Sequence, residues 1–340
     1  MSPEPVCSNQ WHVGLIGYGE VGRILAEDLR KDGVRVSTYD IKLGGAQAAP
    51  LREHGEKFGV ALAASHADLA AQADFIVSAV TASQAVPVAQ AAAPAIKQGA
   101  WFLDFNSASP GAKKRAAALI DGAGGRYVEG AVMTSVPPYR IKVPLLLGGP
   151  GARELAPLLI ELGFAAKVAS EELGVSSAVK MCRSIMIKGL EAMVIESFAT
   201  ARAYGVEDAV LASLAETFPG INWEKQGAYF FQRVIEHGRR RSEEVREVAE
   251  TVREIGLTPW SAQGTAERQA WVADLAERGR VRRERYERIR AQHRLADRGR
   301  PHPGSIEVQD ITAHQRIGSI RIGKSVQFKP ASACPSGEPP

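Results

Sequence analysis

The stretch HVGLIGYGEVGRILAEDLRKDGVRVSTYD, residues 12–40, decides the predicted fold. An apolar run at residues 13–16 predicts a strand, residues 17–22 form a glycine-rich turn, and residues 23–31 are typical of a helix. A second predicted strand, residues 34–39, ends at Asp40. The pattern GxGxxG between a strand and a helix, with an acidic residue about 20 positions later, indicates a dinucleotide-binding fold.

Each glycine of this turn is required by a particular steric constraint. Gly17 permits the tight turn, Gly19 lets the backbone approach a pyrophosphate, and Gly22 allows the helix to pack closely on the strand. Asp40 can accept hydrogen bonds from the adenine ribose and repel a 2′-phosphate, so we expect NAD, although Lys42 leaves NADP open. The predicted cofactor-binding residues of this stretch are Gly17, Tyr18, Gly19, Glu20, Val21, Gly22 and Asp40.

The rest of the N-terminal half repeats the alternation of strand and helix. Apolar runs at residues 75–80 and 101–105 predict further strands, and alanine-rich helical segments separate them. This alternation predicts an α/β fold with an N-terminal Rossmann domain, a doubly wound parallel sheet. Because ligands bind at the C-terminal ends of such strands, we expect Val80, Thr81 and Asn106 to contact the cofactor. Each of them could instead serve only a turn or a helix cap.

The C-terminal half is helical in pattern from residue 172 onward. A long helix over about residues 172–204 is predicted to link two domains, and the 3–4 spacing of valines in residues 243–256 predicts another helix that ends at Gly256. Between them, the basic run HGRRR at residues 237–241 could bind a substrate carboxylate or form a solvated turn, and the turn is the favoured interpretation. The predicted units are a Rossmann domain at 12–171, an all-α substrate and dimerisation domain at 172–297, and a flexible basic tail at 298–340.

The stretch SSAVKMCRSIMIKGLEA, residues 176–192, places a polar stripe on an otherwise apolar helix. Lys180, Ser184, Lys188 and Glu191 fall on one side of it. Apolar neighbours and a second ammonium group would lower the pKa of Lys180 toward the range of a general acid/base, and Lys188 or Ser184 could anchor a carboxylate or polarise an oxygen. Alternatively, the lysines pair with buried acids such as Glu191 or extend to the surface.

Four segments of the chain resemble the β-hydroxyacid dehydrogenase and 6-phosphogluconate dehydrogenase superfamily. They are, in the order typical of that family, the GYGEVG turn, FNSASP at residues 105–110, VEGAVMTSV at residues 128–136, and the helix that carries Lys180. The resemblance covers roughly residues 12–270 and is greatest for the subgroup with a short helical C-terminal domain of undescribed function.

The resemblance implies an NAD(P)-dependent oxidoreductase that acts on a small hydroxy acid or its keto or semialdehyde partner. Lys180 stands at the position of the family's general acid/base, and Ser184 stands where the family usually has asparagine. Ser107 would lie near nicotinamide and substrate, and Met133 and Thr134 belong to a segment that replaces the family's glycine-rich substrate loop. The family also implies a homodimer through the helical domains.

Two other functional classes remain open at this point. An imine reductase would share this architecture, but Lys180 counts against it because that position usually carries a carboxylate or a tyrosine there. A nucleotide-sensing protein without catalytic activity could have kept the fold and could use its arginine-rich C-terminal segment to bind a partner.

Composition and charge narrow the compartment and the partners. The chain has 340 residues, 45% hydrophobic and 24% charged, which is typical of a globular protein with a sizeable core. Three scattered cysteines show neither disulfide nor metal-ligand spacing, and the start of the chain is unlike a signal peptide. We therefore expect a cytoplasmic protein with no metal and no membrane span. The basic residues 278–300 lack interleaved aromatic residues, so nucleic acid is not an expected partner.

Overall fold

A computed structural model describes residues 10–279 of the chain. In the N-terminal half, eight strands form one sheet in the order β3-β2-β1-β4-β5-β6-β7-β8. The strands are β1 (His12–Ile16), β2 (Arg35–Tyr39), β3 (Ala61–Leu62), β4 (Phe75–Ser78), β5 (Trp101–Asp104), β6 (Arg126–Val132), β7 (Leu145–Gly148) and β8 (Ala166–Ser170). The helices that cover the sheet are α1 (Glu20–Lys31), α2 (Ala48–Phe58), α3 (His66–Gln72), α4 (Ala85–Ala92), α5 (Pro110–Gly122) and α6 (Ala152–Glu161).

The predicted Rossmann architecture is confirmed, and the sheet is mostly parallel. Within the described residues the exception is the pairing of β6 with β7, which is antiparallel with Glu129 opposite Gly148 and Val132 opposite Leu145. Strand β8 is parallel to β7, so these two strands run opposite to the other six. Residues 133–144 join β6 to β7 and contain only a short 3₁₀ turn, whereas a parallel neighbour would need a crossover that usually contains a helix. The strand order reverses between β1 and β4, which is where dinucleotides bind in this fold.

Apolar packing on the sheet fixes the position of the glycine-rich turn. Helix α1 buries Leu25, Ala26 and Leu29 against a core that includes Leu15 of β1 and Leu103 of β5. These positions on α1 recur at 3–4 residue spacing, so one face of the helix is held on the sheet. The turn between β1 and α1 is therefore held at the C-terminal edge of the sheet.

The secondary-structure elements described after β8 are all helices, as predicted. Their helices are α7 (Val175–Tyr204), α8 (Glu207–Thr217), α9 (Trp223–Glu254) and α10 (Trp260–Glu277). The predicted long helix corresponds to α7, which ends at Gly205 with φ of 72°. The helix that was predicted to end at Gly256 is α9. It ends at Glu254, and Gly256 follows two residues later with φ of 80°.

The basic run HGRRR is not a solvated turn, so that interpretation was wrong. Residues 237–241 lie inside α9, and Gly238 is buried where α9 packs on α10. A Cβ at Gly238 would lie 2.8 Å from the carbonyl oxygen of Gln269, so glycine is present here for close helix packing. Arg241 is buried as well, and its guanidinium is paired with the carboxylate of Glu191 on α7.

Two sets of predictions concern other parts of the chain. Over residues 10–279, no helix combines the length and the apolarity needed to cross a membrane. The predicted basic segment at 278–300, apart from its first two residues, and the predicted tail at 298–340 lie outside the described residues.

Candidate active site

The glycine-rich turn has the geometry that its sequence predicts. Gly17 has φ of 95°, and a Cβ there would lie 2.4 Å from the carbonyl oxygen of Ala79. A Cβ at Gly22 would lie 2.0 Å from the carbonyl oxygen of Gly17, whereas a Cβ at Gly19 would meet no atom within 4 Å. Helix α1 also begins without a side-chain cap. The space beside Gly19 can therefore accept a pyrophosphate against the first turn of the helix.

Asp40 is tied to the same turn from the end of β2. Its carboxylate accepts a 2.7 Å hydrogen bond from the backbone N–H of Tyr18 and a 2.9 Å bond from that of Lys42. A carboxylate has about four acceptor positions, so two bonds leave capacity for ribose hydroxyls. The Tyr18 ring is fully buried, and its hydroxyl lies 2.7 Å from Nδ1 of His54. Tyr18 can thus offer a cofactor only its main chain.

Asn106 joins the ends of two adjacent strands. Its side-chain oxygen accepts a 2.7 Å bond from the backbone N–H of Val80, and its amide donates a 3.0 Å bond to the hydroxyl of Ser78. The residue is buried, so its side chain fixes the edge where Val80 and the exposed Thr81 lie. Contacts of these three residues with a cofactor stay a prediction.

A buried ion pair below this edge was not predicted. Nζ of Lys113 lies 2.9 Å from the carboxylate of Asp104, and each side chain is 1% exposed. The same carboxylate accepts a 2.7 Å bond from the Tyr127 hydroxyl and a 2.9 Å bond from the backbone N–H of Asn106. The pair therefore orders the segment after β5. A lysine among alanines on the buried face of α5 was the available signal.

Glu129 anchors the start of α7 and was also missed. Its carboxylate is fully buried and accepts bonds from the N–H of Gly174 at 2.9 Å, the N–H of Ser176 at 3.1 Å and the hydroxyl of Ser177 at 2.7 Å. A carboxylate at a helix N-terminus satisfies otherwise unpaired N–H groups and is favoured by the helix dipole. Glu129 thus fixes the long helix to strand β6. A charged residue inside the apolar run YVEGAV was the signal for it.

Lys180 reaches from α7 to the segment after β5. Its Nζ donates a 2.6 Å hydrogen bond to Oγ of Ser107, so two residues that the sequence places 73 positions apart come together. Burial, as the largest cause, lowers the pKa of the Lys180 amine from 10.5 to about 7. An amine with this pKa is divided between its neutral and charged forms near neutral pH, which suits a general acid/base.

Four charged groups act on the Lys180 amine from three helices. One carboxylate raises the pKa of this amine and three cations lower it. In decreasing order of effect these groups are Glu244 of α9, Lys113 of α5, Lys188 of α7 and Arg240 of α9.

The second half of the polar stripe faces α9. Nζ of the buried Lys188 lies 2.6 Å from the carboxylate of the half-buried Glu244, so Lys188 pairs with an acid, although not with Glu191. Glu191 instead pairs with Arg241 and lies 3.5 Å from Nε of Arg233. Lys188 is therefore not a free anchor for a carboxylate, and Ser184, between the two lysines, is half-buried.

The segment after β6 lies at the same edge as Ser107. Met133 is half-buried, its N–H donates a 2.9 Å bond to the carbonyl oxygen of Pro144, and Thr134 is exposed. Strand β6 is parallel to β5 with Glu129 opposite Asp104, so Met133 lies four residues beyond the level at which β5 ends. Their predicted contact with substrate is compatible with this position and stays a prediction.

Arg140 fastens this same segment to the helix of the glycine-rich turn. Its Nε lies 2.8 Å from Asp28, and its Nη2 lies 2.7 Å from Glu27, both on α1. Arg140 has φ of 55°, a left-handed conformation that is uncommon outside glycine. The contact links the predicted substrate segment to the predicted cofactor site, and no local sequence pattern indicates it.

Comparison with known proteins agrees with this geometry. Residues 12–139 match the NAD-binding domain of 6-phosphogluconate dehydrogenase, and residues 201–272 match a domain of unknown function, DUF1932. The chain therefore belongs to the 6-phosphogluconate dehydrogenase-like superfamily, in the group that joins these two domains, and the predicted resemblance is confirmed.

Three similar proteins show how much of the chain the similarity covers. A conserved hypothetical protein from Sinorhizobium meliloti, known from its crystal structure, is 38% identical over 76% of this chain and 87% of its own, with a TM-score of 0.64. An uncharacterised 28.5 kDa protein of Methanothermus fervidus is 29% identical over 73% of this chain and 93% of its own. The mitochondrial 3-hydroxyisobutyrate dehydrogenase of Drosophila melanogaster is 22% identical over 63% of this chain and 66% of its own.

Proposed function

We propose that this protein is an NAD(P)-dependent oxidoreductase that transfers a hydride between nicotinamide and a small hydroxy acid, or its keto or semialdehyde partner. The observation that carries the proposal is the Lys180 amine, 2.6 Å from Ser107, with its pKa lowered to about 7. The similarity to a 3-hydroxyisobutyrate dehydrogenase supports the reaction class. In this proposal residues 12–171 bind the cofactor, and residues 172–297 supply the acid/base group.

Distances across the sheet support one combined site. Strand β1, which precedes Gly17, and strand β5, which precedes Ser107, are separated by β4 alone, which corresponds to about 10 Å. A dinucleotide whose pyrophosphate lies at Gly19 would extend along this edge, because ligands of such sheets occupy the crevice beyond the strand ends. Its nicotinamide would then lie beside Ser107 and Lys180.

The chemistry requires one proton transfer beside the hydride transfer. When bound, the nicotinamide supplies a two-electron acceptor for the hydride of the carbinol carbon. Neutral Lys180 takes the hydroxyl proton as the carbonyl forms, and protonated Lys180 returns it in the reduction. Ser107, which accepts the hydrogen bond from Lys180, orients the amine toward the strand edge.

A substrate screen tests the proposal. Purified full-length protein is incubated with a panel of β-hydroxy acids and with either NAD or NADP, and the absorbance of reduced nicotinamide is followed. We expect turnover with at least one acid. Tight binding of the dinucleotide without turnover on any acid or semialdehyde would favour a nucleotide-sensing protein. Turnover that needs an added amine would favour an imine reductase.

We expect NAD to bind more tightly than NADP. The Asp40 carboxylate is held at the end of β2 by two backbone N–H groups, so a 2′-phosphate would meet a fixed negative charge. Repulsion of about 1.4 kcal/mol or more corresponds to at least a tenfold difference in Kd.

Fluorescence titration with both dinucleotides measures the ratio of the Kd for NADP to the Kd for NAD, and Asp40→Ser should lower this ratio. Asp40→Ser also removes two hydrogen bonds that hold the turn, which changes the affinity for both dinucleotides. The ratio of the two Kd values is therefore the quantity to compare. Tenfold tighter binding of NADP by the wild type would refute the assignment.

We also propose a homodimer through the helical region. Val179, Met186 and Met193 are 46%, 73% and 64% exposed in the single chain. They recur every seven residues along α7, on the side roughly opposite to the polar stripe, as in the seam between paired helices.

Met186→Glu should convert this dimer to a monomer, because a charge would be buried in the seam. Sedimentation velocity at micromolar concentration measures the change, with Ser213→Glu on the exposed side of α8 as a control. A wild-type protein that sediments as a monomer would contradict the assignment.

A further inference from the structure

Glu244 lies where two helices bring three cations together. It is on α9, and its carboxylate faces the polar stripe of α7. One oxygen accepts a 2.6 Å bond from Nζ of Lys188, and the other accepts a bond from Nη1 of Arg240, one helical turn earlier on α9. Glu244 thus bridges an exposed arginine and a buried lysine that lies two helical turns beyond Lys180 on the same side of α7.

We propose that Glu244 is a positioning residue for the acid/base chemistry of Lys180, which rests on the function proposed above. Its carboxylate holds Lys188 and Arg240 in place and offsets the positive charge that these two cations direct at the Lys180 amine. Neither the sequence pattern nor the family resemblance singles out this residue.

The charges around Lys180 explain why such a residue is needed. Lys188 and Arg240 both disfavour the charged form of Lys180, as does Lys113, whose own charge is balanced by Asp104. Glu244 is the largest contribution in the opposite direction and raises the pKa of Lys180. The interaction is mutual, since the surrounding cations lower the pKa of Glu244 to about 2, so it stays ionised throughout the neutral range.

Substitutions of opposite sign test the proposal. Glu244→Gln should lower the pKa of Lys180 by about one unit, because it removes an attractive charge and leaves three repelling ones. Arg240→Gln should raise that pKa, because it removes one of the repelling charges. Glu244→Asp keeps the charge and should restore most of the wild-type value. Glu243→Gln, the neighbouring acid on α9, is the matched control and should change nothing.

The pKa is measured without substrate. Full-length protein labelled with ¹³C at the lysine ε-carbon is titrated by NMR, and Lys180→Met identifies the resonance. Where a substrate has been found, the acid limb of the pH profile for oxidation should move to lower pH in Glu244→Gln. A structural role alone would lower stability without moving this limb.

The outcomes separate the two proposals. A folded Glu244→Gln protein whose Lys180 titrates at the wild-type pH overturns the role of Glu244. If Glu244→Gln does not fold, an unchanged pKa in Arg240→Gln overturns it. Shifts of opposite sign in a protein that turns over no substrate leave Glu244 as the group that sets the charge of Lys180 and refute only the oxidoreductase function.

Discussion

We expect Lys180→Met to lower turnover by roughly 10²–10⁴-fold, the cost of losing a general acid/base. The amine has a pKa of about 7 and contacts Ser107 in the segment after β5, whereas methionine can neither take up nor release a proton. Methionine keeps much of the side-chain volume and the helix propensity of the lysine, and the dinucleotide should bind as before. Steady-state kinetics on the first substrate found, together with a dinucleotide titration, measures both quantities.

The stability of the same variant is an internal check. The pKa of Lys180 is lowered from 10.5 to about 7 in the folded state, so between these pH values the unfolded chain binds more protons. The free energy of unfolding of the wild type should therefore rise with pH across this window. Below the window the amine is buried in its charged form, and the full cost of that burial applies. Lys180→Met removes this cost, and it should be at least as stable as the wild type at pH 7, with a difference that shrinks toward pH 10.

Lys225→Met, at an exposed position of α9, controls for the loss of any lysine. It should leave turnover and the pH dependence of stability unchanged. A Lys180→Met protein that binds the dinucleotide normally and keeps near-wild-type turnover would show that the lysine is structural, and the proposed mechanism would then be wrong.

We expect Glu129→Leu to destabilise the protein by about 2–4 kcal/mol. The change leaves the N–H groups of Gly174 and Ser176 and the hydroxyl of Ser177 without their buried acceptor. Each unsatisfied buried group costs about 1–3 kcal/mol, in part recovered by burying leucine. Since Lys180 lies about one helical turn beyond Ser176, a shift of the helix start also moves the amine, and turnover should fall at least tenfold.

Glu129→Gln is the matched variant for this prediction. Its amide oxygen can still accept from the two backbone N–H groups, and the Ser177 hydroxyl can reorient to accept from the amide nitrogen. Thermal unfolding should therefore rank wild type, Glu129→Gln and Glu129→Leu in that order. If the leucine variant melts with the glutamine variant, the three bonds do not anchor α7.

Local patterns predict the parts of this molecule that depend on neighbours in sequence. The turn at residues 17–22 is such a part, because the steric demands on Gly17 and Gly22 arise within a few residues. The alternation of strands and helices likewise follows from apolar periodicity. The polar stripe of α7 was predictable for the same reason, since helical spacing alone places Lys180 and Lys188 on one side.

Partners that come from distant segments could not be predicted. Glu129 contacts residues 45–48 positions later, and Arg140 contacts residues 112–113 positions earlier, so no window of sequence contains both ends. The HGRRR run was misinterpreted because its glycine and charges resemble a turn locally. Packing of Gly238 against α10 and pairing of Arg241 with Glu191 override that preference.

Helix α7 combines three features along one rigid rod. Its first turn is fastened to the sheet by Glu129, its second turn carries Lys180, and its outer side bears the exposed Val179, Met186 and Met193. A rod of 30 residues, about 45 Å long, transmits a displacement at one point to its whole length. If the proposed dimer forms and Lys180 has the proposed role, contact with a second chain on the outer side would therefore reach the lysine, and specific activity would depend on protein concentration.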